Sequence, residues 1–273
     1  MTLMLIRVTS GGLSATLSVM EQSGSYFIKD VEGMGPVQAE ISESRFGLLD
    51  GTRQHYARRN SRNLVLKIGY RPNYSTNSVQ SLRRDLYKIV YTKAVVDLSF
   101  EYLDGSTFRT QGTVESVEPD IFSSDPGLSV SIVCPDPDFV NPTPVVVSAN
   151  STSTASTYPV EYSGDSPTGV DFALNVNRSI AGFTFTIITS DGSQYDMPVT
   201  WALLAGDVVD IVTRPGSKRV YLTRAGSRSS ILQALSTTAG WPQLTPGTNR
   251  RGVTIAGAGI PYTISYTNRY GGL

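Results

Sequence analysis

Two residue types that carry much of protein chemistry are nearly missing from this chain. Among 273 residues there is one cysteine, Cys134, and one histidine, His55. A single cysteine cannot close an internal disulfide. Zinc sites built from Cys and His need three or four ligands, which are not there. Net charge is lacking too: 23 basic residues balance 23 acidic ones, so nothing at whole-chain level advertises nucleic acid or an anionic membrane. No run approaches the ~20 apolar residues that span a bilayer. The first twenty residues carry Arg7 inside their apolar part and lack the sustained apolar core of a secretory signal. There is no phosphate-cradling Gly-x-Gly-x-x-Gly after a strand, no Gly-x-Ser-x-Gly elbow and no Asp-rich calcium loop. A soluble protein without metal or cofactor, assembled without export, is the expectation.

What is present is a foldable globular composition, 40% hydrophobic and 17% charged, at a length that suits about two domains. The boundary is written in the stretch Glu118 to Phe139. Leu128, Val130, Ile132 and Cys134 alternate with Ser129, Ser131 and Val133, the period of a half-buried strand. Pro135 and Pro137 then remove two backbone donors, so no ladder continues through them. Asn-Pro-Thr-Pro and a Ser/Thr/Ala run follow. The expected division is a first domain over 1–140, a linker over 141–157 and a second domain over 158–273.

In the first domain, Tyr26 to Ile28 reads as a short strand leading into the turn cluster Gly33-Met-Gly-Pro36. Ile41 to Leu49 is mixed and ends at the turn signal Asp50-Gly51. Leu64 to Tyr70 alternates as a strand. Val79, Leu82, Leu86, Ile89 and Val90 fall at helical spacing behind Ser78, a fitting N-cap. Val96 to Tyr102 and Phe108 to Val117 flank Asp104-Gly105, a strong hairpin signal. The spacing predicts a mostly antiparallel β domain with one helix.

In the second domain, Val170 to Val176 alternates cleanly, and Phe183, Phe185 and Ile187 continue the pattern to Asp191-Gly192. Val208 to Val212 and Val220 to Leu222 flank Pro215-Gly216 as a further hairpin. A short helix is expected from Ser230 to Leu235, a structured loop from Trp241 to Asn249, and a last strand through Tyr262, Ile264 and Tyr266. Several short strands with turns between them argue a β-sandwich.

Chemistry is sparse. Arg53, His55, Arg58, Arg59, Arg62, Lys67 and Arg71 crowd together with no acid between Arg53 and Arg71. A solvated loop and strand edge, a contact to an acidic neighbour and direct nucleic-acid binding are the three readings. Only Tyr56 accompanies the cluster as an aromatic platform, which weakens the last of them. Arg53, Arg58, Arg59 and Arg62 are therefore the candidates for an inter-subunit or partner interface. Glu115 with Glu118, or Asp136 with Asp138, could form a catalytic pair, but they lie beside turns and prolines where solvated acids belong. Trp241 is a candidate for stacking on a sugar ring, or a core anchor held between prolines. Cys134 lies on the apolar face of its strand and reads as a small buried hydrophobe, and His55 as a surface or contact residue.

Taken in order, several features resemble a distal tail protein, the Dit family, of siphovirus-like bacteriophages. They are Gly33 with Pro36 and Val37, Asp50-Gly51, the strand Arg62 to Ile68, the helix around Leu82 to Ile89 and the Asp104-Gly105 hairpin. Gly112 to Glu118, Cys134-Pro-Asp-Pro-Asp-Phe139, Trp241 to Asn249 and Tyr266 to Leu273 complete the set. At Asp138 the chain departs from the family pattern, which carries an aromatic before the Phe. The resemblance implies a mainly β protein with two parts. One is an N-terminal belt-type split β-barrel or sandwich with one helix, and the other a C-terminal galectin-like β-sandwich. It also implies a non-enzymatic virion protein of the tail tip, made in the host cytoplasm. Such a protein forms a ring, typically of six copies, between the tail-tube protein and the tail-hub or tail-associated protein. The tape-measure protein and genome pass through the lumen, and neither a membrane nor a sequence-specific nucleic acid is a partner. Exposed strand edges of the first domain are the expected joints of that ring. The other reading is a carbohydrate-binding module that attaches the virion to cell-wall glycans through Trp241. A glycan hydrolase using an Asp/Glu pair is a third.

Overall fold

The computed structural model describes residues 2–19, 24–47 and 50–273. The fold is mainly β, with 56% of the described residues in strands and one α-helix among them. It divides into two units, the first comprising residues up to Pro142 together with Tyr270–Leu273, the second Thr143–Arg269.

The first unit is built from β1 (Leu3–Ser10), β2 (Leu13–Ser18), β3 (Tyr26–Glu32), β4 (Ala39–Arg45), β5 (Thr52–Arg59), β6 (Arg62–Tyr70), α1 (Val79–Tyr87), β7 (Val95–Tyr102), β8 (Thr107–Asp120), β9 (Gly127–Cys134) and β10 (Phe139–Val140). Seven of these strands run β8-β7-β1-β2-β3-β6-β9 and close because β9 also pairs with β8. Closure explains the strict alternation seen in sequence. Leu64, Leu66, Ile68, Val130, Ile132 and Cys134 are all within 2% of full burial and fill the interior with Ile6, Val8, Leu98 and Phe100. Closure removes the sheet edges of these seven strands only where neighbours pair along their length. Helix α1 forms where the spacing placed it, with Ser78 capping Ser81 in a reciprocal box and Leu82 and Leu86 buried.

One piece of this unit stands apart. Strands β4 and β5 pair only with each other, from Ala39↔Arg59 to Arg45↔Thr52. All eight residues of β5 are exposed. In sequence this arm reads as a mixed stretch and a charged loop. Leu48 and Leu49, which closed the mixed stretch, lie outside the described residues.

The second unit is a sandwich. It comprises β11 (Val145–Asn150), β12 (Tyr158–Tyr162), β13 (Thr168–Gly169), β14 (Asp171–Asn175), β15 (Ile180–Ile188), β16 (Gln194–Leu203), β17 (Val208–Val212), β18 (Arg219–Arg224), β19 (Ser227–Ser230), β20 (Gln243–Leu244), β21 (Gly247–Thr254) and β22 (Pro261–Tyr266). One sheet runs β11-β22-β14-β17-β18-β19 and the other β12-β21-β15-β16. Phe172 stacks on Phe185 between them, ring centroids 4.5 Å apart. Residues 141–157 do not form the expected linker. Val145–Asn150 pairs along its whole length with Pro261–Tyr266 as an edge strand. The Trp241–Asn249 loop holds β20 and the start of β21, and the Ser230–Leu235 helix reduces to one 3-10 turn at Leu232–Ala234.

The chain end also differs from the expected 158–273 domain. After Arg269 it re-enters the first unit, where β23 (Arg269–Tyr270) lies beside β10. Tyr270 and Leu273 then pack against the barrel core.

Candidate functional site

The arginine segment separates into two populations, because β5 leaves the barrel and β6 belongs to it. Arg62, the first residue of β6, is wholly buried. It was expected among the interface residues. Instead its guanidinium donates through Nε to the Pro137 carbonyl at 2.8 Å and through Nη1 to the Gly33 and Gly35 carbonyls. Its Nη2 donates to the Gly271 carbonyl. The Phe139 ring covers its Cζ at 4.2 Å, a favourable face for a cation. Burial depresses the Arg62 pKa, and the Asp138 and Asp136 charges oppose that shift.

Arg59, at the foot of the arm, forms a two-pronged pair with Asp138, its Nη2 at 3.0 Å from Oδ2. Asp138, expected to be solvated, is 2% exposed. The acid that stands where the family pattern has an aromatic is thus the counter-ion of the arm. Asp136 accepts from the Asp138 amide at 3.1 Å, so this pair of acids orders a loop. Ser131 Oγ donates to Glu115 at 2.9 Å.

Arg58 pairs with Glu40 across the arm at 2.7 Å, both side chains largely exposed, a contact worth little by itself in water. Arg53 sits opposite Ser44, and His55 Nε2 lies 2.9 Å from Ser44 Oγ. Ile41, Phe46 and Tyr56 are about half exposed. A two-stranded ribbon is marginal in water, and this one presents arginines and large apolar side chains together. That is the composition of an interface core. Neither residue type alone would have disclosed it; the sequence signal was the nearness of Ile41, Phe46 and Tyr56 to the arginines.

Lys67 bonds Asp30 and Glu32 across the barrel wall, and Arg71 lies over Phe27 at 5.3 Å. Both therefore leave the cluster. An open groove of about 1020 Å³ on the barrel is lined by Arg7, Asp97, Glu101, Arg109, Asp136 and Asp138 among others. Arg7 pairs with Glu101, and Gln111 donates to Asp97. Among the described residues no group of three or more His, Cys, Asp or Glu is placed to hold a metal ion. No helix among them is long and apolar enough to cross a membrane. Cys134 is buried, and desolvation pushes its thiol pKa up, which keeps it protonated and unreactive.

Trp241, the sugar-stacking candidate, packs partly buried against the sandwich core, and Lys218 Nζ lies 5.5 Å from its ring centroid. That packing supports the anchor reading of the two that the sequence left open.

Among solved structures, the Dit protein of phage SPP1 superposes over almost the whole chain. That protein is described as a paradigm of the hub adsorption apparatus in phages that infect Gram-positive bacteria. The match covers 97% of this chain and 98% of that one, with a TM-score of 0.69 at 16% identity. The chain has the fold of the SPP1 Dit protein. A chain of the phage P2 baseplate in its activated conformation with Ca matches over 98% of this chain and 99% of its own at 8% identity. Its TM-score of 0.47 adds no argument. No protein-family model and no curated protein matches the chain. The Dit-like fold accounts for both units, the closed barrel with its helix and the sandwich.

Proposed function

We propose that this protein is a structural component of a bacteriophage tail tip. In this reading copies of the chain form a ring, of six in the simplest case, that joins the tail tube to the hub and host-recognition apparatus. The virion is its destination, the host cytoplasm its place of synthesis, and the tape-measure protein and genome occupy the ring's lumen. The observation that carries the reading is the end-to-end match to the SPP1 Dit fold, which spans both units rather than one.

The exposed arm supports the same reading from this chain's own residues. Strands β4 and β5 pair only with each other, so each keeps an outer edge that no described strand covers. They carry Arg53, Arg58 and Arg59 next to Ile41 and Tyr56. A ring needs a heterologous contact repeated by rotation, and an arm reaching from one copy to the next meets that need.

Negative-stain imaging and light scattering of the purified protein test the proposal. A closed ring with a central hole is expected, as is its loss with preserved monomer fold in the R53E/R58E double variant. A protein that stays monomeric at every concentration and never joins tail-tube or hub protein would refute it.

A further inference from the structure

Charge is segregated along this chain, and pairing within the chain does not use all of it. The segment 53–71 holds no acid, and no Lys or Arg occurs between Arg109 and Arg178. Within the first unit most of these charges find partners. Arg59 takes Asp138, Lys67 takes Asp30 and Glu32, and Lys29 takes Asp125. Left over are Arg53 on the arm and Glu118 and Asp120 on β8, whose side chains meet no partner among the described residues. Arg58 has only its exposed bond to Glu40.

Both remainders adjoin exposed apolar side chains. Register places Arg53, Tyr56 and Arg58 opposite Ser44, Ser42 and Glu40, alternate residues that share one face of the ribbon. Beyond Asp120 come Ile121, half exposed, and Phe122, fully exposed. The β8–β9 loop holds Phe122 out in a defined turn. Lys29 Nζ lies 2.8 Å from the Asp125 carboxylate and donates to the Asp125 carbonyl at 2.7 Å, while the Asp125 amide donates to Ser123 Oγ at 3.2 Å. An exposed aromatic on an ordered loop has the form of a binding hot spot, with little freedom left to lose on docking. The two remainders lie at opposite ends of the same strands. Strands β6 and β9 pair from Arg62↔Cys134, next to the arm, to Gly69↔Gly127, next to the loop. Strand β6 has nine residues, so its ends lie about 26 Å apart at the rise of a strand.

We propose that the loop tip Glu118–Phe122 of one copy docks on the Arg53, Tyr56 and Arg58 face of the arm of the next. The occupant is a second copy because the surfaces match in charge and in apolar content, while one chain holds them at opposite ends. Phe122 packs on Tyr56, and Glu118 and Asp120 meet Arg53 and Arg58. The two acids beside the tip disfavour an anionic membrane as the occupant. Such a contact is heterologous, and its repetition by rotation closes a ring. The inference rests on the ring reading and deepens it by naming both sides of the joint.

Sedimentation velocity on the full chain tests it. E118R/D120R and R53E/R58E should each weaken self-association by about tenfold or more, because like charges then face each other. F122S should do the same with an unchanged circular dichroism spectrum. An equimolar mixture of the two charge variants should associate within roughly threefold of the parent, since each reversed tip then finds a reversed arm. If the parent associates while F122S and E118R/D120R leave it unaffected, this joint is overturned and the ring reading stands. A mixture as weak as either variant alone has the same consequence. A tip variant that keeps self-association but loses binding to tail-tube or hub protein also overturns it, by giving the tip another partner. A parent that is monomeric at every concentration overturns both readings.

Discussion

Replacing Arg62 by methionine tests whether a buried cation organises the first unit. The side chain is 0% exposed and uses four of its five N–H positions on the carbonyls of Pro137, Gly33, Gly35 and Gly271. Hydrogen bonds from a charged donor contribute about 1.5–3 kcal/mol each, so the gross loss is roughly 6–12 kcal/mol. Against it stands the hydration that the charge gives up on folding, which is several kcal/mol for a buried ion. The carbonyls also keep some access to other donors once the guanidinium is gone. A net destabilisation of about 3–5 kcal/mol is expected, the range for breaking a buried polar partnership, and a large share of a typical domain's stability. Arg62→Lys should fall between, because one ammonium on a flexible stem cannot reach four acceptors in a plane. Urea unfolding provides the measurement. Trp201 and Trp241 both lie in the second unit, so tryptophan fluorescence follows the sandwich while far-UV circular dichroism sees both units. The R62M variant should move an early dichroism transition to lower urea and leave the fluorescence midpoint within error. A shift under about 1 kcal/mol, or an equal shift in both signals, would show that the Arg62 node does not organise the first unit.

Three further outcomes follow from particular groups. Cys134 should resist Ellman's reagent in the native protein at pH 8 and react fully in urea, since it is buried and its thiol pKa is raised by desolvation; rapid native reaction would contradict the closed barrel. Asp207 is 2% exposed and bonded by Arg224 and the Leu204 amide, with its pKa lowered chiefly by Arg224. A depressed carboxyl contributes stability above its unfolded value of about 3.9 and loses it as pH falls through the native value. The fluorescence midpoint in urea should therefore drop from pH 5 toward pH 2, less steeply in D207N, with Asp191 adding a slope of its own. Trp241→Ala should destabilise the sandwich by about 1–3 kcal/mol, below the cost for a fully buried tryptophan, and leave glycan-array profiles unchanged. Unchanged stability with lost glycan binding would restore the sugar-stacking reading.

The parts of the fold that were legible in sequence are those where one face of a strand meets a core. Leu64 to Tyr70, Val96 to Tyr102 and Leu128 to Cys134 alternate because the barrel buries every second side chain. Val208 to Val212 and Tyr262 to Tyr266 do the same in the sandwich. Strands whose outer face is also partly apolar, or whose inner face is partly polar, lost that signal. Strand β21 carries Asn249 and Arg251 inward, both buried, Asn249 bonded to the Thr245 turn and Arg251 to the Tyr262 hydroxyl. Its first three residues fall in the expected Trp241–Asn249 loop, and charged and amide residues are rare in a core unless paired, so the rest shows no strand signal. Strand β16 includes Pro198 and β12 includes Pro159, prolines that are tolerated on these edge strands of the four-stranded sheet. The division at residue 140 was off by two residues at one end and missed the return at the other. A four-residue tail has no periodicity to read.

The arginine segment shows most clearly why a site can be legible as a composition and illegible as a geometry. Arg59 and Arg62 are three residues apart, and nothing in their neighbours distinguishes them. Asn60 and Ser61 mark the point where the ribbon ends and the barrel begins, so the same residue type turns from an arm's foot to a core clamp. What separates them is the acceptor set brought by distant chain: a carboxylate from Asp138 for one, four carbonyls for the other. Three of those carbonyls lie in Gly/Pro segments, Gly33, Gly35 and Pro137, and the fourth in the closing Gly-Gly. Glycine-rich backbone exposes its carbonyls to close approach, and a guanidinium has five donors and no acceptor of its own. An arginine at a strand start, with Gly/Pro clusters elsewhere in the same unit, is therefore as well read as a backbone clamp as an interface residue. The two readings make opposite predictions for charge reversal. Arg58 should tolerate Glu in the monomer, whereas Arg62 should not tolerate it at all.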